Sequence, residues 1–449
     1  MKLKIRGGQA LRGEIEIPAD KSLTHRGLMF GALGNQRLRV IAIGAGADNA
    51  STAEVLRGLG VTIDPIEGGY LVHGVGLNGL SDSDGPLDCG NSGTTIRLMC
   101  GIVGGAGIRT TLIGDESLSK RPMSRVTVPL RQIGANISGV ETGGKERTPI
   151  TVEPGSPTGG HWVSPIASAQ VKSSLLLAGL LSGTRVTVTE AHCSRDHTER
   201  LLSGLGVAVS SRDDEQGHHV TIEAQSLDAL QWPSDTFVVP GDISSASFWL
   251  VAAALVEGSE LVLKGVGVNP SRDGIIEVLE EAGVDIHRVN PRDMAGEPVV
   301  DVVVKAPPRN ELKHVVISGA QIPRLIDELV VLGAFGALGG GLEVRDAEDL
   351  KAKESDRIAE TLRILAAFGL DGEAREDGYR VEGGQNPRAA DGLDVSSDHR
   401  IAMTGAVLAM TCGDMTESEL TGFDVAAVSY PEFVEHAQQV GAQITNLED

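Results

Sequence analysis

The stretch DKSLTHRGLMFGAL (residues 20–33) opens on charged and hydroxyl side chains and runs into a row of Gly, Leu, Met, Phe and Ala. An Asp ahead of such a run has the makings of a capped helix, because its carboxylate can accept from the free N–H groups of the first turn. The pattern returns as SGTTIRLMCGIV from Ser92, SAQVKSSLLLAGLL from Ser168, SSASFWLVAAAL from Ser244, IDELVVLGAFGAL from Ile326 and DHRIAMTGAVLAM from Asp398. Successive starts lie 72, 76, 76, 82 and 72 residues apart, and a fixed period of this length is the mark of a repeat architecture.

A second signal keeps step with the first. VLRGLGVTI (55–63), PLRQIGANI (129–137), LLSGLGVAV (201–209), VLEEAGVDI (278–286), LRILAAFGL (362–370) and HAQQVGAQI (436–444) each read as a helix stopped by glycine and followed by a strand. Gly60, Gly134, Gly206, Gly283, Gly369 and Gly441 stand where a helix takes a left-handed cap, which glycine adopts without a Cβ penalty. β-Branched runs such as TRVTVTE (184–190) and SELVLKG (259–265) fill the intervals as strands. The fold class is α/β, built from six repeats of about 75 residues, each with two helices and several strands.

EIEIPADKS (14–22) and FVVPGDISS (237–245) resemble one another, each setting a Pro and a small residue before an Asp placed to cap a helix. We read them as two crossings between domains, lying side by side, with three repeats to a domain. One domain is then continuous, 19–238, and the other is assembled from 1–18 plus 239–449. A chain of 449 residues that is 41% hydrophobic is too long for one ordinary core and apolar enough for two.

Composition excludes several classes of function. A formal net charge of −22 opposes binding to nucleic acid, which draws its affinity from Lys and Arg on phosphates. Cys89, Cys100, Cys193 and Cys412 lie far apart with no CxxC pair, so neither a disulfide framework nor a thiolate metal site is expected. His218 and His219, in SSRDDEQGHHV (210–220), read as part of a solvated polar loop, and no HExxH occurs. No metal and no cofactor are expected. No run reaches about 18 apolar residues, and the N-terminal MKLKIRGGQALRGEIEIP lacks the apolar centre of a signal peptide, so a cytoplasmic protein without a membrane partner is expected.

The placement of charge carries the chemistry. Helix N-termini hold partial positive charge, so cations there are out of place unless an anion binds. Lys21 and Arg26 flank the first repeat helix, Lys172 lies in the third, and His399 with Arg400 opens the sixth. In an acidic protein, their recurrence at corresponding helix starts points to a convergent site for anionic small molecules. The loop DCGNSGTT (88–95) adds glycines and hydroxyls at a helix entrance, whereas GAGADN (44–49) has Asn49 where a dinucleotide loop needs its third glycine and is discounted. AKESDRIAETLRIL (352–365) reads as one helix with Lys353, Glu354 and Arg357 on a shared face. In PRLIDELVVLGAFGAL (323–338), Asp327 precedes an almost wholly apolar helix and suits either an N-cap or a partly buried general base.

Taken together these motifs resemble the EPSP synthase family from end to end. DKSLTHR is similar to the family's DKSxSHR, and LDCGNSGTT followed by GDESLSKRPM is similar to its second block. SAQVKSSLLLAGL, SRDHTERLL, VPGDISSASF, RDAEDLKAKESDRI and DHRIAM follow in family order. The resemblance implies a two-domain inverted α/β barrel-like fold with three repeats per domain and a catalytic site in the interdomain cleft. It implies transfer of the enolpyruvyl group of phosphoenolpyruvate to the 5-hydroxyl of shikimate 3-phosphate, with loss of phosphate. Small-molecule substrates and a monomer are the expected partners and state.

Matched residue by residue, the resemblance assigns Lys21, Ser22 and Arg26 to the shared substrate floor. Ser168, Ala169, Gln170, Arg195, Asp327 and Lys353 go to shikimate 3-phosphate. Gly93, Thr94, Arg121, Gln170, Arg357 and Arg400, with Lys21, go to phosphoenolpyruvate. Asp327 is implied as the base at the hydroxyl, Glu354 as the group moving a proton at C3, and Lys21 as a proton-transfer or charge-stabilising group. Three positions depart from the family pattern: Ala19 for a Gly, Val330 for a Pro, and Val428 where some members carry a lysine. The sister transferase acting on UDP-N-acetylglucosamine uses a cysteine where Glu116 stands, and that reading is set aside. A non-catalytic anion-binding protein of the same fold would have no need of Asp327, Glu354 and Lys21 together. An RNA phosphate cyclase is disfavoured by the acidic charge.

Overall fold

The structure, a computed structural model, describes residues 1–413 and 416–447. It contains six four-stranded sheets among the described residues. Each sheet opens with a parallel pair and continues with an antiparallel one, as in Leu87–Asp88 beside Thr110–Ile113, which pairs in turn with Lys145–Val152. The sixfold period is therefore a repeat of topology as well as of sequence.

The chain divides into two compact units. One comprises Ala19–Val239 and Asp293–Glu297, and the other Met1–Pro18, Pro240–Arg292 and Pro298–Asp449. Each has its own hydrophobic core, around Phe30, Met99, Leu176 and Leu201 in the first and around Trp249, Phe335, Phe368 and Phe433 in the second. Strand Thr236–Val238 returns to pair in parallel with Arg39–Ile41, completing a sheet of the first unit. In the second unit Lys2–Arg6 lies between Glu417–Thr421 and Gln443–Asn446, so both chain ends share one sheet. At the neighbouring crossings the backbone is joined, Asp242 N donating to Pro18 O at 2.8 Å.

All six repeat helices form, over Lys21–Leu33, Gly93–Ala106, Ala169–Ser182, Ile243–Leu255, Leu329–Leu338 and His399–Thr411. Asp20, Ser92, Asp242 and Asp398 cap four of them through their side chains. The closing glycines have φ between 73° and 100°, in the left-handed region their helices require. Small residues let helices approach closely: a Cβ at Gly101 would strike the Ser174 carbonyl on the Ala169–Ser182 helix. An alanine there would force the two helices apart, at the roughly 1–3 kcal/mol typical of overpacking.

Three local expectations need correction. His218 and His219 lie in strand Gly217–Ile222, nearly buried and paired with Asp213 and Asp214 of the adjoining strand, because cross-strand carboxylates satisfy them. The AKESDRI segment is not one helix. Asp356 caps a helix that begins at Arg357, accepting from Ile358 N and Ala359 N at 3.1 Å, and Lys353 and Glu354 precede it in irregular backbone. Asp327 is no cap either, since Glu328 holds that position and makes no capping bond.

Candidate active site

In the Ala19–Val239 unit, Lys21 is the first residue of its helix and its ammonium lies 3.0 Å from Asp48 Oδ2. Asn49, fully buried, donates to the Lys21 carbonyl at 3.0 Å. The discounted GAGADN segment thus serves to hold the lysine. Ser22 sits beside it, its carbonyl accepting from Arg26 Nη1 at 2.9 Å. Arg26 is buried and also donates to Thr198 Oγ1 at 2.8 Å and Ser173 Oγ at 3.0 Å. These bonds use three of its five N–H donors.

The DCGNSGTT loop delivers Gly93 and Thr94 to a helix N-terminus where Ser92 Oγ accepts from Thr95 N at 3.1 Å. Gln170 bridges this loop to the next repeat, its Nε2 donating to Thr94 Oγ1 at 3.1 Å and its Oε1 accepting from Arg97 Nη1 at 2.6 Å. Arg121 follows a short helix capped by Asp115 and donates to Asn91 Oδ1 at 2.6 Å. A Cβ at Gly93 would fall 2.9 Å from Arg97 Nη1 and 3.3 Å from Arg121 Nη1, so both guanidiniums face this helix start. Burial, then Arg125 and Arg121, push the Arg97 pKa down to about 10. None of Arg97, Arg121 and Arg125 is ion-paired to a carboxylate among the described residues. Two guanidiniums at a helix N-terminus, without a carboxylate partner, are a chemistry suited to an anion.

Ser168, Ala169 and Gln170 open the Ala169–Ser182 helix, and Arg195 lies in the segment before helix His197–Gly204, near enough to Arg26 to act on its charge. Lys172 is completely buried between Glu190 and Glu199, at 3.0 and 2.8 Å. That removes it from the predicted set of anion-binding cations, since internal carboxylates already neutralise it.

The other unit gathers Asp327, Lys353, Glu354, Arg357 and Arg400. Arg357 is 1% exposed and donates to three carboxylates: Nη1 to Asp327 at 3.0 Å, Nη2 to Glu354 at 2.7 Å and Nε to Asp398 at 2.9 Å. Lys353 Nζ reaches Asp327 Oδ1 at 3.3 Å. Although burial works against it, the three carboxylates raise the Arg357 pKa, and against the burial of Glu354, Arg357 together with a backbone hydrogen bond and His399 holds Glu354 below the usual carboxylate range. Asp398 caps the last repeat helix through Arg400 N, and the Arg400 guanidinium bonds to no described residue. Burial and then Arg400 lower His399 to about 4, so it is neutral.

Sequence reading missed Arg97, Arg125, Asp48, Asn91 and Asp398. Arg97 was detectable, lying four residues after Gly93 and hence on the same helix face. Asp48 was not, because its link to Lys21 is purely tertiary.

Over 99% of this chain and 98% of the other, the structure is similar to the enolpyruvyl transferase NikO from Streptomyces tendae, with a TM-score of 0.73 at 16% identity, a likeness of fold alone. The chain belongs to the EPSP synthase family, the family model for EPSP synthase (3-phosphoshikimate 1-carboxyvinyltransferase) matching residues 5–437. A 3-phosphoshikimate 1-carboxyvinyltransferase of Shouchella clausii is 43% identical over 442 residues, 98% of this chain and 99% of that protein. The EPSP synthase structure from Acinetobacter baumannii has a TM-score of 0.87 at 35% identity, covering 99% of both chains. No helix among the described residues is long and apolar enough to cross a membrane.

Proposed function

We propose that this enzyme transfers the enolpyruvyl group of phosphoenolpyruvate to the 5-hydroxyl of shikimate 3-phosphate, giving 5-enolpyruvylshikimate 3-phosphate and phosphate. The structural observation that carries the reading is the pair Arg97 and Arg121 at the Gly93 helix start, cationic and without carboxylate partners among the described residues, with the charge of Arg125 acting on Arg97. Such a pair matches an anionic substrate whose carboxylate and phosphate accept bidentate bonds.

Gly93, Thr94, Arg121, Gln170, Arg357 and Arg400 bind phosphoenolpyruvate. Ser168, Ala169, Gln170, Arg195, Asp327 and Lys353 bind shikimate 3-phosphate, with Ser22 and Arg26 in the floor. Asp327 takes the proton of the attacking hydroxyl, with Lys353 Nζ and Arg357 Nη1 3.3 and 3.0 Å from its Oδ1. Glu354 starts ionised against Arg357. Phosphoenolpyruvate competing for that guanidinium weakens its hold on Glu354, raising the Glu354 pKa so that it can carry a proton to C3. Lys21 balances charge developing on the intermediate, a task for which Asp48 orients it. The protein acts in the cytoplasm as a monomer.

The test is phosphate release from phosphoenolpyruvate with either shikimate 3-phosphate or UDP-N-acetylglucosamine as acceptor. Release with the first alone is expected. Release only with the second, or binding of shikimate 3-phosphate without turnover, overturns the reading.

A further inference from the structure

Ser168 occupies the N-cap of the Ala169–Ser182 helix, yet its side chain makes no capping bond. The backbone is held instead from a neighbouring strand, Ser168 N donating to Glu190 Oε1 at 2.6 Å. Glu190 ends strand Val186–Glu190 and is 1% exposed. Its other oxygen accepts from Ser194 Oγ at 2.6 Å and from Ser194 N at 3.3 Å, and lies 3.0 Å from Lys172 Nζ. Lys172 Nζ donates in turn to the Ser194 carbonyl at 3.1 Å. One buried carboxylate therefore ties the segment beginning at Ser168 to the segment containing Ser194 and Arg195.

Charge balance alone would not require this geometry. Lys172 already has Glu199 at 2.8 Å, and a buried carboxylate is costly unless its lone pairs are filled. Here they are filled by the backbone of two separate loops as well as by the lysine, which leaves the Ser168 hydroxyl uncommitted to any described residue.

We infer that Glu190 is a positioning residue that fixes Ser168 and Arg195 relative to one another for the binding of shikimate 3-phosphate. The inference rests on the function proposed above. Glu190, 1% exposed, acts through the groups whose spacing it sets, with Lys172 Nζ 3.0 Å from its second oxygen.

The test is steady-state kinetics of Glu190→Gln, whose amide nitrogen cannot accept the bonds that one carboxylate oxygen now accepts. The KM for shikimate 3-phosphate should rise roughly 10- to 100-fold, the usual cost of unsatisfied buried groups, while the KM for phosphoenolpyruvate stays within about threefold. The pair Glu190→Gln with Lys172→Met removes both charges. Because Glu199 then loses its ion-pair partner, thermal stability should fall further, while the shikimate 3-phosphate KM stays high. Recovery of that KM in the double variant, or an equal rise in both KM values in the single one, overturns the inference. Should Glu190→Gln fail to fold, Ser194→Ala removes one strut and spares the ion pair. It is expected to raise the same KM by a smaller factor, and no rise overturns the inference. Wild-type protein inactive on this acceptor defeats the functional reading and this inference with it, whereas active wild type with unaltered Glu190→Gln defeats the inference alone.

Discussion

The two charge clusters hold arginines under opposite regimes. Arg97, at the Gly93 helix start, is nearly buried with two further guanidiniums acting on it and an amide as its partner. Arg357 is buried among Asp327, Glu354 and Asp398. The first arrangement carries cations without carboxylate partners among the described residues. Around Arg357 three carboxylates are gathered, with Lys353 Nζ 3.3 Å from one of them. Counter-charge is therefore what distinguishes the two clusters.

The sharpest way to break this distinction is Asp327→Asn, which keeps shape but removes the basic oxygen. Turnover should fall by about 10² to 10⁴ with the fold retained, measured as phosphate release alongside circular dichroism. A variant within tenfold of wild type would place the base elsewhere.

Stability separates the clusters next. Arg357→Met leaves three carboxylates crowded without their cation and should cost about 3–5 kcal/mol in urea unfolding. Arg97→Met removes a cation that has no acid partner and should be neutral or stabilising, while weakening phosphoenolpyruvate binding. Equal losses would show that counter-charge does not distinguish the two sites. Arg121→Lys is milder, keeping charge but losing the fork. The KM for phosphoenolpyruvate should rise about tenfold to a hundredfold, with calorimetric affinity for shikimate 3-phosphate little changed.

The repeats were legible because both of their markers are local. A capping Asp or Ser ahead of an apolar run, and a glycine behind a helix, act through neighbours in sequence. Lys21, Arg121 and Arg357 were legible through family motifs. Asp48 and Glu190 acquire their partners only when separate segments pack, as does Asp398 toward Arg357, so no spacing announces these contacts. His218 and His219 were misread because DDEQGHH is polar, whereas the hairpin pairs each histidine with an aspartate across the strand. Lys172 was misread for the same reason: its carboxylates lie 18 and 27 residues away in the chain.

The smallest expected effect concerns what the clusters share, a buried neutral histidine in each. His25 is 0% exposed; its Nδ1 lies 2.6 Å from Thr52 Oγ1, and its Nε2 meets no hydrogen-bond partner. Burial, then Lys21, lowers its pKa to about 3, and His399 is lowered to about 4 by burial and then Arg400. An unfolded histidine titrates near 6.5, so below that pH the unfolded chain takes up protons that the folded one refuses. Stability is therefore highest above about pH 6.5 and falls as pH drops, by up to about 1.4 kcal/mol per pH unit for each histidine. Depressed carboxylates such as Glu354 act in the same direction, but mainly below about pH 4.5, so the interval from about 6.5 to 5 isolates the histidines. Urea unfolding of wild type across that interval should show the combined slope, to which His436, also lowered by burial, adds, and His25→Gln should remove a distinct share of it. A wild-type curve that is flat between pH 7 and 5 would mean that both imidazoles accept protons in the folded protein, and that neither cluster keeps its histidine neutral.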